Sequence, residues 1–183
     1  MIDKKLKGSE ISFGKANKSD SLRISILLKT VNIEAYAWNG ISSEIANYTT
    51  KRFSPENIEK IINQNPEQLI IAYKNGNPIG VAEVLYKSKC PVKKTDVPEL
   101  SKLYVLARFY GQGIGLILLQ EAEKEIWKKG FKEVNLEVWT NNDRAIGFYK
   151  KHGYQSIGTV DFPMDENTYE NLVMNKILNK ENE

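Results

Sequence analysis

The sequence predicts a single mixed α/β domain whose first half forms a largely antiparallel sheet. Strand-like and helix-like segments follow the order β, α, α, β, β, β, α, β, α, β, β along the chain. A strong turn, Asn75-Gly76-Asn77-Pro78, joins two strand-forming segments and predicts a hairpin. The 183 residues suit one core. We therefore expect one domain over residues 1–183, with its core at about 11–178.

Two helices are expected between the first strand, at 11–16, and the hairpin strands, at 69–74 and 79–86. The first helix begins at Ser19-Asp20 and is broken at Asn39-Gly40. Its expected apolar stripe contains Leu22, Ile26, Leu27 and Val31. The second helix follows Ser43 and ends before Pro66, with an interruption near Ser54-Pro55 because proline suits the first turn of a helix.

The second half alternates strands and helices after a polar stretch at 87–98. The expected strands are 99–105, 132–139, 154–160 and 171–178. The expected helices are 115–129, with Gly130 as its C-terminal cap, and 142–151, which ends at Gly153.

Composition and charge argue against several classes of protein. The net charge of +3 gives no electrostatic reason to expect a nucleic acid or membrane partner. Cys90 is the one cysteine and His152 the one histidine, so an internal disulfide, a cysteine-based metal site and a Ser-His-Asp triad are not supported. No metal is expected. The sequence contains neither an N-terminal apolar signal region nor an 18-residue apolar stretch, so we expect a cytoplasmic protein.

A glycine-rich turn between a strand and a helix is the most informative segment. It reads Tyr110-Gly111-Gln112-Gly113-Ile114-Gly115 and precedes the apolar residues Leu116-Ile117-Leu118-Leu119. Glycines allow the backbone to approach a ligand closely, and the N–H groups at a helix start bind anions, so a pyrophosphate is the expected ligand. The segment lacks the Gly-Lys-Ser/Thr of a P-loop and the spacing of a dinucleotide fingerprint. The alternative interpretation is a helix start that simply needs flexible glycines.

A second motif lies downstream, from Asn142 to Tyr154, and reads Asn-Asp-Arg-Ala-Ile-Gly-Phe-Tyr-Lys-Lys-His-Gly-Tyr. With the glycine turn, it resembles the GNAT acetyltransferases. They carry Arg/Gln-x-x-Gly-x-Gly/Ala at the first place and Asn-x-x-Ala-x-x-Phe/Leu-Tyr-x-x-x-Gly-Phe/Tyr at the second. The resemblance covers about residues 11–178. Two registers fit the first motif, beginning at Arg108 or at Tyr110; the second is preferred because Gly115 then adjoins the apolar helix, although Tyr110 departs from Arg/Gln.

The resemblance implies the GNAT fold, with about seven mostly antiparallel strands, about four helices and a V-shaped opening between strands 99–105 and 132–139. Acetyl-CoA is the implied cosubstrate. Its pantetheine arm is expected along Leu103, Tyr104 and Val105, whose backbone also offers an oxyanion donor. Its pyrophosphate is expected on the turn residues Tyr110, Gly111, Gln112, Gly113, Ile114, Gly115 and Leu116.

The second motif supplies the expected acid. Asn142 can cap the short helix and contact the cofactor, and Ala145 lies one turn before Tyr149, leaving room for the pantetheine arm. Tyr149 is the implied catalytic acid that protonates the departing thiolate. The alternative is a core aromatic residue on an amphipathic helix. Glu99 or a water relay is the expected base.

The acceptor is expected to be a small-molecule amine. In this family two segments line the acceptor cleft, here about 31–50 and 158–170, and neither contains Lys or Arg. Their acidic residues are Glu34, Glu44, Asp161, Asp165, Glu166 and Glu170. Such a field favours a cationic amine, unless these are merely solvated loops.

Two further stretches are similar to the PaiA-like polyamine N-acetyltransferases: Ser54–Ile61, and Asp161–Glu166 ahead of Leu172–Lys176. That branch usually has Gly between its Met and the acidic pair, whereas here Met164 meets Asp165 directly. The alternatives are an acetyltransferase acting on protein N-termini or lysines, and a non-catalytic acetyl-CoA-binding regulatory domain. A monomer or a homodimer is expected.

Overall fold

The computed structural model describes residues 2–3, 11–164 and 166–179. Asp165, one of the acidic residues of the expected acceptor segment, lies outside the described residues. The chain forms two compact units, the first of residues 1–83 with 102–121 and the second of residues 84–101 with 122–183.

The first unit contains an antiparallel set of strands in the order β1–β2–β3–β4. Their bounds are Ile2–Asp3, Ile11–Lys15, Leu69–Lys74 and Asn77–Leu85. The next strand, β5, spans Glu99–Val105, and its last four residues belong to this unit. The helices are α1 (Ser21–Tyr36), α2 (Ser43–Arg52), α3 (Pro55–Gln64) and the start of α4 (Ile114–Lys128), with 3-10 turns at Lys18–Asp20 and Ala107–Phe109.

The predicted hairpin is confirmed, since β3 and β4 pair in antiparallel register. Asn75 and Gly76 adopt positive φ angles of 50° and 74° in the connecting turn. Asparagine and glycine tolerate this left-handed conformation better than other residues, which is why this dipeptide ends β3 where the sequence predicts.

The predicted apolar stripe of α1 is partly wrong. Leu22 and Ile26 are 59% and 54% exposed, whereas Leu27 and Val31 are buried. The buried side of α1 is completed by Ile24 and Leu28. At 100° per residue, Ile24 and Leu28 project away from Leu22 and Ile26, so the helix carries apolar residues on more than one side. The apolar pattern of the sequence is therefore compatible with two different buried faces of α1.

The interruption predicted near Ser54-Pro55 is confirmed, and it separates α2 from α3. The Ser54 side chain accepts a hydrogen bond from the Asn57 backbone N–H at 3.2 Å, and Pro55 occupies the first turn. Ser42 caps α2 in the same way, through the Ile45 N–H. Phe53, which lies between the two helices, is fully buried, so the segment that joins them also packs into the core.

The second unit contains the strand order β5–β6–β8–β7, in which β5 and β6 are parallel and the other pairs are antiparallel. The further elements are β6 (Glu133–Trp139), α5 (Asp143–Lys151), β7 (Gln155–Met164) and β8 (Asn167–Ile177). The last two strands are longer than the sequence predicts, because their pairing continues to the turn between Met164 and Asn167.

The polar stretch at 87–98 also contributes to the core of this unit. Cys90 and Val97 are buried against Val173 of β8. The predicted fold class, mixed α/β with mostly antiparallel strands, is confirmed. The single domain over 1–183 stays a prediction.

Candidate functional site

The glycine-rich turn of the first unit follows Leu103, Tyr104 and Val105, which end β5, and it opens α4. Gly111 and Gly113 adopt φ angles of 75° and 78°, and a Cβ added at either would meet nothing within 4 Å. Glycine is therefore required here by backbone conformation, not by crowding. Both glycines are exposed, so the N–H groups around them and at the helix start remain open to an anion.

The two expected registers of this motif share the positive-φ glycines. Ile114 begins α4 as a buried residue, and Gly115 and Leu116 lie in its first turn with helical conformation. The Gln112 amide donates to the Arg108 carbonyl oxygen at 3.3 Å, while Tyr110 is 38% exposed at the entrance to the turn. A hydrogen bond within the turn thus stabilises its conformation, and the groups that could bind the phosphates are backbone N–H groups.

Gly80 of β4 brings the helix and the strand of this motif close together. A Cβ at this position would lie 3.0 Å from the Leu118 Cδ1 atom, 3.0 Å from the Tyr104 carbonyl oxygen and 3.1 Å from the Val105 Cγ2 atom. A side chain there would displace the strand that is expected to hold the pantetheine arm. Sequence reasoning missed this position, because an isolated glycine in a strand does not reveal its neighbours.

The second motif lies in the second unit. Asn142 caps α5, and its Oδ1 atom accepts a hydrogen bond from the Ala145 N–H at 3.1 Å. Ala145 is half-buried, and Tyr149 lies one turn further along α5 with 8% of its surface exposed. The predicted capping role of Asn142 is confirmed.

An aromatic cluster fixes the ring of Tyr149. The rings of Phe148 and Tyr154 contact it edge-on, each with a centroid separation of 5.5 Å. The Tyr154 hydroxyl donates to Glu123 Oε1 at 3.0 Å, and Lys176 pairs with the same carboxylate at 2.7 Å. Burial, and then the charge of Glu123, raise the pKa of Tyr154. Tyr149 is thus packed in a rigid setting, whichever role its hydroxyl has.

Glu99 begins β5 in the second unit and is half-buried. The Ser88 hydroxyl donates to Glu99 Oε2 at 2.9 Å. Glu99 is the register partner of Asn135, and Glu137 lies two residues further on the same face of β6. Burial, and then the Glu99 charge, raise the pKa of Glu137, while a hydrogen bond with Asn171 opposes the rise.

Two features of this face were not predicted from the sequence. Glu137 alternates with Leu136 and Val138, so the period-two pattern of the strand could have placed it beside Glu99. Asn135 is fully buried, and its side-chain amide has no hydrogen-bond partner in the part of the chain that the structure describes.

A buried charge network in the first unit was also missed. Glu83 accepts hydrogen bonds from Lys102 at 2.6 Å, from Arg52 at 3.2 Å and from Gln68 at 3.1 Å. Burial alone would raise the pKa of Glu83, but Lys102 and Arg52 outweigh it and lower the pKa. A glutamate within the apolar run of β4 was the available signal.

The acidic residues of the expected acceptor segments face solvent for the most part. The exposed ones are Glu34, Asp161, Glu166 and Glu170, and Glu44 is half-buried. Among residues 2–3, 11–164 and 166–179, no cluster of three His, Cys, Asp or Glu side chains could hold a metal ion. Within the same ranges, no helix has the length and apolar character needed to cross a membrane.

Comparison with known proteins decides the family. Residues 38–154, most of the chain, match the Acetyltransferase (GNAT) family. The chain belongs to this family. The resemblance drawn from the two motifs is therefore confirmed, and so is the acetyl-CoA-dependent N-acetyltransferase class.

Two curated relatives are informative. The chain is similar to a spermidine N(1)-acetyltransferase of Thermoplasma acidophilum, with 32% identity over 143 residues that cover 73% of this chain and 84% of that protein. It is also similar to an uncharacterized N-acetyltransferase of Methanocaldococcus jannaschii, with 27% identity over 108 residues. That match covers 59% of this chain and spans 48% of the longer relative.

A solved structure shares the fold. It is the PaiA N-acetyltransferase of Thermoplasma acidophilum in complex with coenzyme A, which superimposes with a TM-score of 0.72 at 24% identity. The superposition covers 91% of this chain and 98% of that one. The GNAT fold predicted from the sequence is therefore confirmed.

Proposed function

We propose that this acetyltransferase transfers an acetyl group from acetyl-CoA to a primary amine of a small cationic acceptor, with polyamines as the leading class. The observation that carries the proposal is the 32% identity to a spermidine N(1)-acetyltransferase over 84% of that protein. The similarity spans more than the cofactor motifs, since it covers 73% of this chain. It therefore extends beyond the segments that are expected to bind the cosubstrate.

Acetyl-CoA is held mainly by backbone groups in this proposal. The pyrophosphate binds the turn at Gly111–Gly113 and the start of α4, where exposed N–H groups and the helix dipole favour negative charge. The pantetheine arm adds to the end of β5 through the main chain of Leu103 to Val105. Ala145 leaves space beside the thioester, and Asn142 fixes the start of α5.

Tyr149 acts as the general acid. The acceptor nitrogen attacks the thioester carbonyl, and the resulting tetrahedral intermediate expels the thiolate when the C–S bond breaks. The Tyr149 hydroxyl donates its proton to that sulfur. The packing of its ring against Phe148 and Tyr154 restricts its rotamers, so the hydroxyl is pre-organised for this step.

Glu99 accepts the proton that the amine must lose before it attacks. The Ser88 hydrogen bond fixes one of its carboxylate oxygens, and Glu137 lies on the same face. Burial and the Glu99 charge raise the pKa of Glu137, so this second carboxyl group keeps its proton to a higher pH than an ordinary carboxyl group does. A water relay from Glu99 is the alternative route.

The acceptor is tested with a panel of amines incubated with acetyl-CoA, while free thiol release is monitored. We expect spermidine and spermine to be acetylated faster than a monoamine of similar length, and both faster than a peptide N-terminus. Preferred acetylation of the peptide, established by intact-mass analysis, would replace the polyamine proposal with the protein-acetyltransferase alternative. Acetyl-CoA binding without turnover of any amine would favour the regulatory-domain alternative.

A further inference from the structure

A chain of side-chain hydrogen bonds joins α1, α2 and β5 in the first unit. The Thr49 hydroxyl donates to Asn32 Oδ1 at 2.9 Å, and both residues are buried. The Tyr104 hydroxyl in turn hydrogen-bonds the side chains of Asn32 and Tyr36. Four residues from three elements are therefore linked one after another by hydrogen bonds.

The hydrogen bonds run in one direction. The hydrogen bond with Asn32 acts to lower the pKa of Tyr104, against the larger effect of burial, so the Asn32 amide nitrogen is the donor and the Tyr104 oxygen the acceptor. Tyr104 then donates its own proton to the Tyr36 oxygen. Hydrogen bonds aligned head to tail polarise one another, so such a chain is more rigid than separate bonds.

The chain is also insensitive to pH in the physiological range. Burial raises the pKa of both Tyr36 and Tyr104, so both hydroxyls remain protonated. Asn32 and Thr49 do not titrate. The alignment of the four groups therefore does not depend on proton uptake or release.

The position of Tyr104 gives the chain a link to the proposed chemistry. Tyr104 lies between Leu103 and Val105, on the strand end whose backbone is proposed to bind the pantetheine arm. Asn32, Tyr36 and Thr49 lie within 31–50, the helical region expected on the acceptor side. The chain thus ties the strand that would hold one substrate to helices associated with the other.

We propose that Asn32 and the Tyr104 side chain are positioning residues for acetyl transfer, which fix the backbone of Leu103–Val105 against α1 and α2. This inference rests on the proposed function. A loss of alignment of this strand moves the thioester and its oxyanion donor relative to the acceptor nitrogen, and small displacements of reacting atoms have large kinetic effects.

The first test uses Tyr104→Phe, which removes the hydroxyl and keeps the ring. We expect kcat to fall about tenfold or more and acetyl-CoA affinity, measured by calorimetry, to weaken, while the melting temperature changes little. Asn32→Leu should show the same kinetic change. Unchanged kcat and acetyl-CoA affinity in Tyr104→Phe would overturn the inference.

A matched set of threonine variants separates positioning from general stability. Thr49→Val is nearly isosteric and removes the hydroxyl that orients Asn32, whereas Thr95 is exposed, lies outside residues 31–50 and 158–170, and serves as the control. We expect a partial loss of kcat in Thr49→Val, its recovery in Thr49→Ser and no loss in Thr95→Val. Equal kinetics in Thr49→Val and Thr49→Ser would contradict a role for the hydroxyl.

Calorimetry of acetyl-CoA distinguishes failure of this inference from failure of the acceptor proposal, because it needs no amine. If no polyamine is acetylated but Tyr104→Phe weakens acetyl-CoA binding, the positioning role stands and the acceptor proposal fails. If polyamines are acetylated with the same kinetics by the parent and by Tyr104→Phe, the acceptor proposal stands and the positioning role fails.

Discussion

Glu83 and Lys102 form a buried ion pair with an oxygen–nitrogen separation of 2.6 Å, and both side chains are almost completely excluded from solvent. Arg52 makes a second contact to the same carboxylate at 3.2 Å and is partly exposed. The network places two cations around one anion, with the Phe53 ring 5.8 Å from each cation. Its charges are therefore interdependent, and removal of the carboxylate takes away the negative charge that Lys102 and Arg52 share.

The first prediction concerns this network. Glu83→Gln should lower the free energy of unfolding by about 3–5 kcal/mol, the range for breaking a buried pair from one side. The measurement is chemical denaturation at neutral pH. Glu59→Gln is the matched control, because its pair with Lys18 is exposed and should contribute less than about 1 kcal/mol. Similar losses in the two variants would show that Glu83 is not a major anchor.

The pH dependence of stability follows from the lowered pKa of Glu83. A carboxyl group whose pKa is lower in the folded state than in the unfolded state stabilises the fold at pH values above the unfolded pKa. That contribution is lost as the pH falls through the ordinary carboxylate range toward the lowered value. We expect the acid-side loss of stability in the parent to be reduced in Glu83→Gln, as measured by melting temperature against pH.

The next prediction concerns Gly80, whose absent side chain allows β4, β5 and α4 to pack closely. Gly80→Ala introduces a Cβ about 3 Å from the Tyr104 carbonyl oxygen and the Leu118 side chain, and should cost about 1–3 kcal/mol of stability. We also expect weaker acetyl-CoA binding, because Tyr104 belongs to the proposed cofactor strand. Gly14→Ala is the control, since a Cβ there meets nothing within 4 Å. Parent-like stability in Gly80→Ala would mean that the strand yields without strain.

Most elements of the fold could be predicted from the sequence where local signals were strong. The Asn75-Gly76 turn, the Ser54-Pro55 helix start and the alternation of Val134, Leu136 and Val138 each specify conformation within a few residues. Burial along α1 could not be predicted in the same way. Leu22 and Ile26 look like core residues until the neighbouring elements determine which side of the helix is covered.

The candidate site also contains local features that the sequence predicts and long-range contacts that it does not. The glycines at 111 and 113 and the cap at Asn142 are local features, and the structure places them as the motifs predict. The links from Glu83 to Lys102 and from Thr49 to Asn32 join residues 17 or more positions apart. No local pattern encodes such pairs, so they become visible only when the chain is folded.

A further prediction tests the proposed phosphate-binding turn at Gly111–Gly113. Acetyl-CoA at 100 times its dissociation constant should stabilise the parent by about 2.7 kcal/mol, measured as a shift in the melting curve. Gly113→Asp should abolish the shift, because it adds a side chain and a negative charge to the anion site. Gly130→Asp is a matched control: Gly130 also has a positive φ and open space for a Cβ, but it lies in the turn after α4. It should lose stability and keep the acetyl-CoA shift.

The proposed acid is tested by Tyr149→Phe, which keeps the ring that packs against Phe148 and Tyr154. We expect kcat to fall roughly 10²–10⁴-fold, the range for loss of an acid–base group, with little change in acetyl-CoA affinity. Tyr154→Phe is the comparison in the same cluster, because it removes a hydroxyl that bonds Glu123 and should reduce stability while kcat stays near that of the parent. Full activity in Tyr149→Phe would show that the thiolate leaves unaided or takes its proton from water.

The last prediction is that exposed carboxylates select a cationic acceptor. Each carboxylate near a bound ammonium in a partly screened setting contributes on the order of 1 kcal/mol. Glu34→Gln combined with Asp161→Asn should therefore raise KM for spermidine about tenfold or more while kcat is largely spared, because charge attraction is similar in the ground and transition states. Glu59→Gln with Asp96→Asn removes the same charge outside the two acidic segments and should leave KM near the parent value. Salt should reduce the preference for spermidine over a monoamine of similar length. Equal KM changes in the two double variants, or a preference unaffected by salt, would mean that these acidic segments are solvated surface and not the acceptor site.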